Sequence, residues 1–256
     1  MIDFTNKIRL RSLIFIYVVT QILALILSEA ELFKNISLLT DDAWITLSNF
    51  VVLIWIMWKV KINSNDIEST FVDFKQKINS KEIFILLSLN ILITLSSITL
   101  IISIILKLMP NMVNELLSDT SSDFNVIPFI ISSVMIVLSA TILEEIMFRG
   151  ILLKKIASRG NLKKAIIISS AIFGILHPSL GIISAFITGV ILGLLYIKYN
   201  NILIPMLLHI LHNSVIQLIT LISSVYPSTD TEVALSTAQI NICLILSIII
   251  LVVSSI

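Results

Sequence analysis

Charge is scarce in this 256-residue chain: Asp, Glu, Lys and Arg make up 13% of it, about half the share usual in soluble domains. Hydrophobic residues take 57%, against roughly 45–50% in such domains. So little polar surface excludes a dispersed globule, and the apolar excess must face lipid. Cysteine occurs once, as Cys243, so an intrachain disulfide is excluded and nothing follows about redox compartment. A net charge of +1, with no basic cluster interleaved with aromatics, excludes a nucleic-acid surface. No internal repeat of the kind that marks many secondary transporters is present, and the zinc-binding helix pattern H-E-x-x-H is missing. The first apolar segment follows Lys7, Arg9 and Arg11. It is long enough to span and has no A-x-A cleavage site, so it reads as a membrane helix and not as a signal peptide.

What is there is a series of long apolar runs. Spanning takes about 20 residues at a rise of 1.5 Å each, and reading for that length predicts helices over 12–28, 43–58, 83–106, 127–153, 165–180, 182–198, 202–225 and 239–256. The expectation is an all-α polytopic membrane protein of about eight transmembrane helices. It forms one transmembrane domain over 1–256, with a motif-bearing core at 127–225. With the N-terminus inside, fourteen Lys and Arg residues fall on the cytoplasmic side, and only Lys34 and Lys107 fall outside. Positive charge is retained in the cytoplasm, so both termini are expected there. Between Lys59 and Glu82, Ile67, Phe71, Phe74 and Ile78 recur at spacings of three and four. That segment reads either as an interfacial amphipathic helix or as a solvated linker. Gly189 and Gly193 form a GxxxG pattern suited to close helix packing.

Ionisable groups inside a span are costly and tend to carry function. Here they are Glu144, Glu145 and Arg149 in "ILEEIMFRG", His177 in "FGILHPS", and His209 and His212 beside Asn213 in "LLHILHNS". These three histidines are the only ones in the chain. With the cytoplasmic boundary at Lys154 and Lys155, Glu144 lies about 15 Å deep and His209 about 12 Å deep by helix rise, so the polar groups fall in one layer. Glu145 and Arg149, spaced i,i+4 with the acid first, are placed to neutralise each other. Glu144 is turned away from Glu145 and is left facing a pocket. There it suits a general base, with His177 helping it to activate water. His209 and Asn213 share a face and suit an oxyanion, and Phe173 lies one turn before His177. No serine or cysteine stands out as nucleophile. Bland readings exist for each residue, as a structural ion pair or interhelical glue. A metal reading also stays open, with Glu144, His177 and His209 as three zinc ligands.

The motifs resemble those of the CPBP family, the CAAX proteases and bacteriocin-processing enzymes also called Abi. "EEIMFR" is similar to its EExxxR motif, "FGILH" to FxxxH and "HILHN" to HxxxN, in the same order over roughly 140–214. The resemblance implies an eight-helix intramembrane protease whose eukaryotic relatives remove three residues from prenylated CAAX sequences. It implies Glu144 as the base assisted by His177, and His209 with Asn213 as the oxyanion hole. Glu145 and Arg149 then shape the site, with Phe173 and His212 as its neighbours. No cofactor is favoured, and zinc is the alternative. Thirteen Lys against four Arg, with abundant Ile, fits an AT-rich bacterial genome. The expected substrate is a hydrophobic peptide or membrane protein in peptide-signal (quorum-sensing) or bacteriocin processing or self-immunity. The rivals are a non-proteolytic scaffold or immunity protein binding a partner through its spans, and a proton-relaying transporter.

Overall fold

The computed structural model describes residue 4 and residues 7–30, 41–109, 125–177, 179–225 and 237–254. The expected outer loops, around Lys34 and from Pro110 to Phe124, lie outside the described residues, as does Pro178. Among the described residues the only regular structure is helical. In chain order the α-helices are α1 (Leu10–Glu29), α2 (Asp41–Val60), α3 (Ser64–Lys77), α4 (Ser80–Leu108) and α5 (Val126–Glu145). After a π-helical segment at Ile146–Leu153 come α6 (Lys154–Ala157), α7 (Leu162–Ile175), α8 (Ile182–Tyr199), α9 (Leu203–Val225) and α10 (Thr237–Ser254).

Six of the expected spans meet the length and apolarity that crossing requires: α1, α2, α4, the continuous run from α5 through α6, α8 and α9. The other two are shorter. The stretch expected at 165–180 forms only the 14-residue α7, about 21 Å long at the α-helical rise, which falls short of a hydrocarbon layer of about 30 Å. It stops at Ile175 because a residue preceding proline, here His177, is pushed out of the helical region. The last expected span is realised as α10, whose apolar described portion is Ala238–Val252.

Burial is inverted relative to a soluble protein. Phe15 is 70% exposed, Trp58 68% and Ile127 71%, while Asn90, Ser97 and Thr141 have no exposure at all. Lipid solvates isoleucine and leucine as well as a protein interior does, so helices associate through small and polar residues. Gln21 of α1 donates to Asn49 of α2, which donates to Ser139 of α5, and this triad sets the register of the three helices. A tight link holds α8 and α9 together. Asn200 takes the left-handed conformation (φ 48°) that ends α8, a role asparagine tolerates. Asn201 then caps α9 through the Leu203 N–H.

The segment between α2 and α4 is the helix α3, opened by a capping box of Asn63 and Asp66. Phe74 and Ile78 turn into the core beside Ile83, Leu195 and Leu208, whereas Ile67 and Phe71 are exposed. Asn201 donates to Asp73 (2.8 Å) and to the Thr70 carbonyl, and Lys77 bonds both Asp73 and the Tyr199 carbonyl. These contacts hold the Asp73 carboxyl below the usual carboxylate range, chiefly through the Asn201 bond and then Lys77.

The two glycines of the GxxxG pattern pack α8 against α7 and the π segment. A β-carbon on Gly189 would lie 3.0 Å from Ser170 Cβ and 3.1 Å from its Cα, whereas one on Gly193 would meet the end of Leu153 at 3.3 Å. Gly189→Val should therefore lower stability by about 1–3 kcal/mol, the usual cost of overpacking, read as thermal unfolding in detergent. Gly193→Ala should cost less, because a flexible leucine tip can give way.

Candidate active site

Helices α5 and α9 run antiparallel, and each offers polar residues four apart on the face that meets the other. Asn213 Nδ2 donates to Thr141 Oγ1 at 3.1 Å. One turn along, His209 Nδ1 donates to Glu145 Oε1 at 2.8 Å. The i,i+4 spacing of Thr141 with Glu145 thus meets the i,i+4 spacing of His209 with Asn213, giving two rungs between the helices. Arg149 donates to the same Glu145 oxygen at 2.8 Å, so the expected ion pair is formed, with both side chains almost wholly buried. The second guanidinium nitrogen donates to the Gly189 carbonyl on α8 (3.3 Å), and the plane lies over Phe173, 4.7 Å from its centroid. A buried cation needs this much compensation.

The sequence reading left Glu145 to Arg149 alone; the structure adds His209 as a third member. The missing signal is azimuth: spacing along α9 shows that His209 and Asn213 share a face, but not which residue of α5 that face meets. Oε2 of Glu145 is buried with no hydrogen-bond partner among the described residues.

Glu144, one residue earlier, points elsewhere. Its Oε2 lies 3.7 Å from His209 Nε2, and its side chain is 30% exposed where Glu145 is fully buried. The His209 ring therefore stands between two carboxylates, held by one and facing the other. At this distance Glu144 and His209 lie in one layer, as their positions along the two helices lead one to expect.

His177 follows the end of α7, in a bend and not inside a span. Its Nδ1–H donates to the Phe173 carbonyl at 2.7 Å, which leaves Nε2 of the neutral ring as the acceptor. Phe173 lies against both imidazoles, with ring centroids 4.4 Å from His177 and 5.8 Å from His209. One fully buried ring thus sets the spacing of the two histidines and stacks on Arg149. His212, expected as a neighbour of the site, donates through Nδ1 to Asn213 Oδ1 (3.2 Å), and its Nε2 lies 3.0 Å from Thr94 Oγ1 on α4.

The π-helical segment directly after the glutamates carries the arginine. In it Phe148 to Leu153 are six consecutive buried residues, which an α-helix at a bundle edge would not provide. Its wider turns are rare and cluster at functional sites. Ser169 of α7 donates to the Phe148 carbonyl (3.3 Å), and Gly150 admits Phe4 and Ile202 to within 3.1–3.3 Å of where a β-carbon would stand. Sequence spacing did not reveal this segment, nor the parts played by Thr141, Thr94 and the Gly189 carbonyl. Thr141, one turn before Glu145, was within reach of a phase argument; Thr94 carried no local signal.

As ligands for a metal, Glu144, His177 and His209 are of suitable chemistry. Among the described residues, however, no group of three or more His, Cys, Asp or Glu is placed to hold an ion.

Residues 126–215 match the model of the family described as type II CAAX prenyl endopeptidase Rce1-like. This stretch is similar to that family. The match runs from the start of α5 into α9 and contains every polar group named above except Thr94. The matched family is one of endopeptidases, and the helices around the matched stretch are long and apolar enough to cross a membrane. No match is found among curated proteins or among solved structures.

Removing the arginine leaves Glu145 buried without its counter-charge. Arg149→Met should cost about 3–5 kcal/mol, the range for breaking a buried pair, in reversible unfolding from detergent. Lys163→Met, on the exposed start of α7, should change stability by less than about 0.5 kcal/mol.

Proposed function

We propose that this protein is an intramembrane endopeptidase that cleaves a hydrophobic peptide or membrane-protein substrate with water activated by Glu144. The observation that carries the reading is the asymmetry of the two adjacent carboxylates. Glu145 is buried and committed to Arg149 and His209, whereas Glu144 is accessible and faces His209 Nε2 at 3.7 Å.

In this mechanism Glu144 takes a proton from water as the hydroxide oxygen bonds the scissile carbonyl carbon, and the carbonyl π electrons move onto oxygen. His209, protonated and held through Nδ1 by Glu145, presents an N–H at Nε2, and Asn213 presents its second amide hydrogen. Both stabilise the oxyanion. As the tetrahedral intermediate collapses, the C–N bond breaks and the proton held by Glu144 passes to the departing amine. His177 assists this transfer through Nε2. The sequence of steps closes without a metal ion.

The Rce1-like match supports a C-terminal, lipid-bearing type of peptide as one substrate class. Lysine-rich, isoleucine-rich composition supports a bacterial source, and with it the processing of peptide signals or bacteriocins, or self-immunity. The distribution of Lys and Arg supports cytoplasmic termini.

The test uses purified protein in liposomes and a set of internally quenched apolar peptides, one ending in a farnesylated CAAX sequence, with products identified by mass. Wild type should cleave, and Glu144→Gln should abolish cleavage at normal protein levels. Asn213→Ala should lower kcat by roughly 10²–10³, as loss of an oxyanion donor does. No cleavage by wild type, or undiminished cleavage by Glu144→Gln, rejects the reading. A chelator should leave the rate unchanged; a loss restored by zinc would move Glu144, His177 and His209 into a metal site.

A further inference from the structure

The polar face of α4 lies outside the family match yet reaches the site at two points. Asn90 accepts from Thr188 of α8 at 2.7 Å, one residue before the Gly189 carbonyl that holds Arg149. One turn on, Thr94 meets His212 of α9, one residue before Asn213. All four side chains are buried, where hydrogen-bond geometry is enforced because an unmade bond is expensive.

The second contact fixes a direction. A carboxamide oxygen can only accept, so the His212–Asn213 bond requires the proton on His212 Nδ1. In the neutral ring Nε2 is then bare, and it must accept the Thr94 hydroxyl proton. The chain of donation runs from Thr94 to His212, to Asn213 Oδ1, and from Asn213 Nδ2 to Thr141. Pinning Oδ1 on the His212 side puts the amide hydrogens on the opposite side. With the other His212 tautomer the carboxamide would be turned over, its nitrogen drawn to His212 and its oxygen placed against Thr141.

We propose that Thr94 is a positioning residue for the peptidase reaction, fixing the His212 ring through Nε2 so that His212 Nδ1–H holds Asn213 Oδ1 and the Asn213 amide hydrogens are aimed at the oxyanion. The catalytic consequence rests on the reading of Asn213 above; the tautomer does not. Thr94 needs a hydroxyl for this and touches no substrate. Its effect should appear in kcat and not in KM.

The experiment combines ¹⁵N NMR of histidine-labelled protein in lipid with kinetics on the peptide that wild type cleaves best. Wild-type His212 should show a protonated Nδ1 and a bare Nε2, a measurement needing no variant. Thr94→Val, nearly isosteric, should remove the hydrogen bond at His212 Nε2, seen as a change in its ¹⁵N shift, and lower kcat by about tenfold, the usual worth of one hydrogen bond, with KM unchanged. Thr94→Ser should restore both. In an Asn213→Ala background, Thr94→Val should cause no further loss. An Nε2–H tautomer in wild type overturns the proposal, as does unchanged kcat in Thr94→Val. Additive losses in the double variant do so too. If Glu144→Gln still cleaves while His212 holds the Nδ1–H form, the catalytic reading fails and the tautomer assignment stands.

Discussion

One carboxylate oxygen organises the site. Oε1 of Glu145 accepts both Arg149 and His209, and through Arg149 it is joined to the backbone of α8. A charge so deep in an apolar layer is tolerated only when it is paired, and here the pairing falls on Oε1 while Oε2 has no hydrogen-bond partner among the described residues. The demand falls on three helices at once: α5 must present the acid, α9 the imidazole and α8 a carbonyl. Phe173 closes the group by stacking on the guanidinium and touching both histidines. Glu144 has its freedom because its neighbour has none.

The same logic runs through the rest of the bundle. Lipid offers no competing hydrogen bonds, so buried serines, threonines and asparagines turn to another helix or to their own preceding turn, though Thr46 Oγ1 and Asn90 Nδ2 have no partner among the described residues. Gln21, Asn49 and Ser139 register the first helices against α5. Asn90 and Thr94 do so for α4 against α8 and α9. At the end of the bundle where α8 meets α9, Glu82 gathers Lys198 and Tyr199 and Asn201 gathers Asp73. The link between those two helices is thereby tied to α3.

Whatever depends on local spacing was legible in the sequence: the long spans, the Glu145–Arg149 pair, the glycine contacts of α8, and the common depth of Glu144 and His209. The amphipathic period at Ile67, Phe71, Phe74 and Ile78 marked α3, though a solvated linker fitted the same residues. Whatever depends on rotation between helices was not. A period of 3.6 tells which residues of α9 stand together, but the partner across the gap is set by packing of all neighbours. That is why the His209–Glu145 bond and the reach of Thr94 became visible only in three dimensions. The short α7 was misjudged for a different reason: apolar composition continues through Leu176 while the backbone turns before Pro178.

The π segment at Ile146–Leu153 has a consequence for how this helix tolerates change. Wider turns accommodate an extra residue without passing the added rotation along, so the azimuth of α5 and that of α6 are decoupled. The half that bears the glutamates can keep its face toward α9 while α6, which bears Lys154 and Lys155, keeps its own contacts with α7. Deleting a single residue between Met147 and Leu152 would let the helix tighten into ordinary α turns. The two ends would then be geared together, and one of the two faces would have to give up its contacts.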